Sequence, residues 1–274
     1  TATGLGTNAA PIKTSVGNLE AAGGTDGIYV ANTGDLRIGN VSSTFGLSAT
    51  QAVEITTSGA LTIDEIVQVS DGSPITLRTT ATGDFTVYAP IKCATGAVLL
   101  SASDGNFYFK TGVDTEGDIS LTGGSLEVRA DAAGRKIQFG ASTGVTGNTA
   151  TILLSAADGV IFDNLAQGVA TTGTLTIDAD SNDDGVGTYA QGAGVPVSNH
   201  HITITAADVQ LDVSASPATL TAVTAGDVML KTSQPGRTIG LGGGAGGFNL
   251  TDAEINRIFA GRLEIGVNSA GAPW

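Results

Sequence analysis

Gly34-Asp35-Leu36-Arg37-Ile38-Gly39 is the stretch on which the reading of this chain turns: a glycine turn, then an apolar, a polar and an apolar residue. The same wording returns at Gly59-Ala60-Leu61-Thr62-Ile63, Gly83-Asp84-Phe85-Thr86-Val87, Gly105-Asn106-Phe107-Tyr108-Phe109 and Gly117-Asp118-Ile119-Ser120-Leu121. It continues at Gly124-Ser125-Leu126-Glu127-Val128, Gly173-Thr174-Leu175-Thr176-Ile177, Gly226-Asp227-Val228-Met229-Leu230 and Gly261-Arg262-Leu263-Glu264-Ile265. A period of two puts both apolar side chains on one face of a strand and the middle residue on the other. So short a strand buries too little to stand alone, and the core must come from stacking one unit on the next.

Composition supports a folded, turn-rich chain. Charged residues are 14% of the 274, against roughly 25% in an average soluble domain. Disorder pairs low hydrophobicity with high charge, and here 41% of residues are hydrophobic. The 40 glycines flank the apolar triplets, where they supply turns with positive φ. A net charge of -14 argues against nucleic acid as a partner. Many of the acids stand in turns: Asp26, Asp71, Asp104, Asp158 and Asp184 precede glycine, and Asp35, Asp84, Asp118 and Asp227 follow it. There Asp can accept from local backbone donors. Cys93 is the sole cysteine, which excludes an internal disulfide and a thiolate-bound cluster and suits an oxidising outer compartment. With no run of about 18 apolar residues, no membrane insertion is expected.

Along the chain, a lead-in to about Ala31 is followed by dense apolar pairs from Leu36 to Phe139 and further pairs at Ile152, Val160, Leu175, Ile202, Val209, Val228, Ile239 and Leu263. Two insertions stand out, an acidic glycine-rich loop over 178–199 and a glycine run with one short helix over 240–260. Thr251-Asp252-Ala253-Glu254 is a capping box, and Ile255, Ile258 and Phe259 fall on one face of a helix expected to run over 251–259. No other amphipathic helix is present, which removes βαβ folds and bundles. Membrane barrels need longer alternating strands, and sandwiches fewer glycines. The expected fold is therefore all-β, a parallel β-helix (β-solenoid) spanning 1–274 as one domain, expected to be a segment or repeating unit of a longer array or fibre. At about 20 to 25 residues per coil it would make roughly 11 to 13 coils and a rod on the order of 55 Å long.

The Gly-Asp-Φ-x-Φ units resemble those of the filamentous-haemagglutinin-like family of secreted bacterial adhesins. So do Asn199-His200-His201-Ile202-Thr203-Ile204-Thr205-Ala206-Ala207-Asp208-Val209-Gln210-Leu211 and Gly236-Arg237-Thr238-Ile239-Gly240-Leu241, with Leu250 to Ile255 and Ala260 to Gly266 after them. The resemblance implies a right-handed parallel β-helix at a bacterial cell surface or in an extracellular fibre. It also implies a non-catalytic rod whose partners are copies of itself end to end, with surface glycans or a host or neighbouring cell surface as further contacts. The competing function on the same fold is a carbohydrate-binding module or carbohydrate-active enzyme.

The residues that carry candidate chemistry are few. Asp180, Asn182 and Asp184, followed by Gly185, open a calcium-loop pattern with oxygen ligands at alternate positions. Gln191 stands where that pattern wants a closing carboxylate, so a solvated acidic loop is the competing reading. The Gly242–Gly247 run matches GxGxxG but lacks the βαβ unit a dinucleotide needs. His200 and His201, as strand neighbours, should face opposite sides. Cys93 reads as a small core residue, and no catalytic residue or bound cofactor is expected. Phe85, Phe107, Phe109, Phe139 and Phe162 should stack inside, with Tyr29, Tyr88, Tyr108 and Tyr189 outside.

Overall fold

The computed structural model describes residues 3–42, 45–111 and 118–266. Its strands form three long sheets, and their ladders are parallel throughout. The chain visits the sheets in rotation. Ser125–Ala130 lies in the first, Ile137–Phe139 in the second and Gly144–Gly147 in the third, and Thr151–Ala156 then returns to the first, on top of Ser125–Ala130. The molecule is a β-solenoid.

The second sheet has nine strands, from Asn18–Leu19 to Asp208–Leu211, so there are nine complete coils rather than the 11 to 13 expected from the sequence. The coils are longer than assumed. Successive partners in the first sheet run Val53, Ile75, Val98, Leu126, Ile152, Leu175, Ile202, Val228 and Leu263, steps of 22 to 28 residues and a final one of 35. At about 4.8 Å per coil the stack is roughly 45 Å long.

Parallel register stacks like on like, and this builds the core. In the second sheet Phe85, Phe107 and Phe109, Phe139 and Phe162 face inward and are fully buried. Phe109, Phe139 and Phe162 lie almost face to face, with ring centroids 4.3 and 4.5 Å apart. Each such pair contributes about 0.5–1.5 kcal/mol beyond its buried area. Tyr189, expected outside, extends the stack at 6.2 Å from Phe162 and has no exposed surface. The register explains this: Val160 and Phe162 pair with Tyr189 and Gln191, so alternation points both of the latter inward. Burial pushes the Tyr189 phenol far up from its ordinary pKa, and its hydroxyl donates to Gln191 Oε1 at 2.9 Å. The Gln191 amide donates in turn to the carbonyls of Val195 and Thr219, leaving no buried group unpaired in that network.

Corners need small or self-satisfied residues. After the first sheet the inward corner carries Ala102, Ala130, Ala156 and Ala206. Before the third-to-first corner, Thr171 Oγ1 donates to Asn199 Oδ1 at 2.6 Å. Some glycines are dictated by crowding between coils and not only by φ. A Cβ on Gly226 would stand 1.6 Å from the His200 carbonyl oxygen, although that glycine has an ordinary φ. Acids in Gly-Asp pairs reach the next coil: Asp35 Oδ1 accepts from Ala60 N and Asp84 Oδ1 from Asn106 N, both at 2.8 Å.

The insertions differ from expectation. Within 178–199, Thr188–Gln191 and Pro196–Asn199 are strands of the second and third sheets, so the loop shrinks to 179–187. Their apolar content is too low for the Φ-x-Φ pattern to reveal them. The helix is one turn, Asp252–Ile255, with its capping box intact. Ile258–Phe259 is instead a strand of the third sheet, paired with Leu220–Thr221. The glycine run joins two short parallel strands, Ile239–Leu241 and Phe248–Leu250.

Candidate functional site

Each strand of the second sheet ends with a residue whose amide donates back to the preceding coil. Lys110 N bonds Val87 O, Gly140 N bonds Phe109 O, Asp163 N bonds Phe139 O, Gly192 N bonds Phe162 O and Asp212 N bonds Gln191 O, at 2.8 to 2.9 Å. These residues therefore form one row along the outside of the rod. In it, Gly192 separates two carboxylates, Asp163 and Asp212, that stand two coils or roughly 10 Å apart at the backbone. Beside them runs the outward row of the sheet, Tyr108, Gln138, Ile161, Ala190 and Gln210. Where the outward row drops to Ala190 there is a groove of about 620 Å³ whose lining includes Ile161 and Ala190. Asp163, Asn164, Gln210 and Asp212 line its sides.

The side groups are held by the neighbouring coils and, at Asp212, by the turn that follows. Asp163 Oδ2 accepts from Gln138 Nε2 at 2.8 Å, and Asn164 Oδ1 from Ala193 N at 2.9 Å. Asp212 Oδ1 accepts from the Ser214 hydroxyl and amide. Those bonds, with the charge of Arg257 adding a little, hold the Asp212 carboxyl below the usual aspartate range, so it is ionised at neutral pH. Neither Asp163 nor Asp212 was singled out from the sequence. The local signal was present, a Φ-x-Φ-Asp reading in Val160-Ile161-Phe162-Asp163 and Val209-Gln210-Leu211-Asp212. What joins them is the register across an intervening coil.

The acidic loop divides its side chains between the interior and solvent. Asp180 is fully buried, and its Oδ2 accepts from Gly185 N at 2.9 Å and from the Ser233 hydroxyl. Asn182 and Asp184 stay exposed and bond each other, Nδ2 to Oδ2 at 2.8 Å, while Asp184 Oδ1 accepts from Val186 N. The segment ahead of the second insertion clamps the loop: Gln234 Nε2 donates to Asp183 O and Arg237 Nη1 to Gly185 O. Asp178, beside it, has its pKa raised by burial first and then by the charges of Asp183, Asp131 and Asp180. Among the described residues no group of three or more His, Cys, Asp or Glu side chains is arranged to hold a metal ion.

His200 and His201 do not face opposite sides. His200 sits at the bend before strand His201–Ala206, and the rings meet edge to face at 4.1 Å. His200 Nδ1 pairs with Val223 O, and His201 Nδ1 accepts from Asp227 N. Cys93 is buried, which pushes its thiol up and away from reactivity. On the outer face Lys110 Nζ lies 4.7 Å from the Tyr108 ring centroid and 6.0 Å from that of Tyr88.

At the carboxyl-terminal end the three sheets finish differently. The second is closed by the short helix: Glu254 Oε1 accepts from Leu211 N at 3.1 Å, and Asp208 Oδ1 from Asn249 N. The first and third end on Arg262–Gly266 and Ile258–Phe259, whose outer edges pair with no other strand among the described residues. Phe259 and Leu263 are exposed there.

No protein-family model, no curated protein and no solved structure matches this chain. The architecture is that of a rod-like β-helix repeat protein.

Proposed function

We propose that the chain is an extracellular structural solenoid, a rod or filament segment of a bacterial surface adhesin or matrix fibre, that joins copies of itself end to end. The observation that carries this reading is the end face made by Arg262–Gly266 and Ile258–Phe259, whose outer edges pair with no other strand among the described residues, with Phe259 and Leu263 exposed beside them. A free edge is a template for another strand. Because every coil runs in the same direction, a second copy added by its first coil continues the parallel ladders, and such a heterologous contact does not close on itself. It yields a filament. The interior is apolar from coil to coil, so each added copy also covers the end of a hydrophobic core. A surface rich in acids with one buried cysteine suits an oxidising exterior, and the lateral faces are left to touch glycans or a neighbouring cell surface.

Electron microscopy and sedimentation over a range of protein concentration test it. Filaments whose width matches one solenoid are the expected result. Monodisperse particles at high concentration would sink it.

A further inference from the structure

We infer that the groove over Ile161 and Ala190 is a binding site for an amino-sugar glycan, a chain of hydroxylated rings carrying ammonium groups. Three features of the groove converge on that chemistry. Its lining includes the Ile161 side chain and the Ala190 methyl, register partners in adjacent coils, an apolar pair that suits the carbon face of a ring. Its sides offer amide and carboxylate groups, Asn164 and Gln210 with Asp163 and Asp212, the inventory that pairs with neighbouring hydroxyls. Each carboxylate spends one oxygen on the protein, Oδ2 of Asp163 on Gln138 and Oδ1 of Asp212 on Ser214, and keeps the other for a ligand.

The charge decides between glycans. Two carboxylates flank the groove on a chain of net charge -14, so a uronate or sulfated sugar is repelled and an ammonium group gains a charge-assisted hydrogen bond. A single metal ion is a poor occupant. Carboxylates two coils apart, roughly 10 Å at the backbone, do not meet the ligand distance of about 2.3–2.6 Å that calcium requires. Spacing of that order suits a linear ligand lying along the row, with one ammonium near Asp163 and another near Asp212.

The site lies on a lateral face and reaches the last coil of the second sheet, where the Leu211 amide is taken by Glu254. The test is calorimetric titration of the intact protein with glucosamine oligomers, with their N-acetylated counterparts and with oligouronates. Saturable binding of the amine oligomers alone is expected. Asp163→Asn and Asp212→Asn should each weaken it roughly tenfold or more. Ala190→Phe fills the groove without changing any charge and should abolish it. Absence of saturable binding would overturn the inference, as would equal binding of acetylated or acidic sugars. Binding that survives Ala190→Phe would reveal plain attraction to an acidic surface and would also overturn it. Microscopy on the parent protein separates the two proposals, because filaments formed by a protein that binds no glycan overturn only the groove.

Discussion

Gly168 shows how much a single residue carries here. Its φ is +73°, and a Cβ would stand 1.7 Å from the Pro196 carbonyl oxygen in the next coil. Left-handed backbone alone costs a non-glycine residue about 1–2 kcal/mol, and the clash adds to it. Gly168→Ala should therefore destabilise by more than about 2 kcal/mol in urea unfolding, while Gly17→Ala, which meets nothing within 4 Å, should change stability by less than about 0.5 kcal/mol. Asp178 works the other way. Burial and its acidic neighbours raise its pKa, so the folded state holds the proton more tightly than the unfolded chain. Its contribution is most favourable below the ordinary aspartate range and is lost as pH rises through the raised value. Asp178→Asn should raise the melting temperature at pH 7, with the gain shrinking toward zero as the pH falls below that range. A gain that is the same at pH 3 and pH 7 would contradict this account. The aromatic interior was legible one residue at a time, since Phe85 to Phe162 all sit in Φ-x-Φ units. Tyr189 was not, because the strand around it, Thr188–Gln191, has too little apolar content to set an alternation.

At the scale of elements, the nine repeat units quoted from the sequence do not belong to one sheet. Leu36–Ile38 and Phe85–Val87 lie in the second sheet, Ile119–Leu121 in the third, and Leu175 and Leu263 in the first. Alternation reports which face of a strand is buried and nothing about which wall of the coil it builds. The third sheet was the least visible because strands such as Gly144–Gly147 and Gly168–Ala170 are rich in glycine and alanine. The capping box was readable and holds, yet its Glu254 has a second task at the edge of the second sheet. One oxygen caps the helix through Thr251 N and Oγ1, and the other takes the Leu211 amide. Glu254→Ala should cost about 1–2 kcal/mol and speed hydrogen exchange at Leu211, with Glu254→Gln retaining part of both. Unchanged exchange at Leu211 would show that the edge is closed by something else.

For the whole molecule, the end face is where the assembly proposal can be tried by mutation. Leu263 and Ile265 project from the terminal strand, Leu263 exposed and Ile265 packed against the core. Leu263→Lys places a charge on the face that a second copy would cover, at small cost to the isolated solenoid. Filament length should fall sharply while the circular dichroism stays that of the parent. Salt should partly restore it by screening the introduced charge. Filaments of unchanged length would mean that copies meet elsewhere.

The sequence by itself determined the fold class, the parallel stacking and the aromatic interior, because period-two alternation and glycine punctuation are local and survive without knowledge of partners. Only the tertiary structure decided that there are nine coils, that the 179–187 loop is clamped by Ser233, Gln234 and Arg237, and that Asp163, Gly192 and Asp212 share one row. The reason is physical. Turn lengths vary from coil to coil, so the register between residues about 20 to 30 positions apart is set by which side chains pack across the interior, and no local pattern encodes that choice.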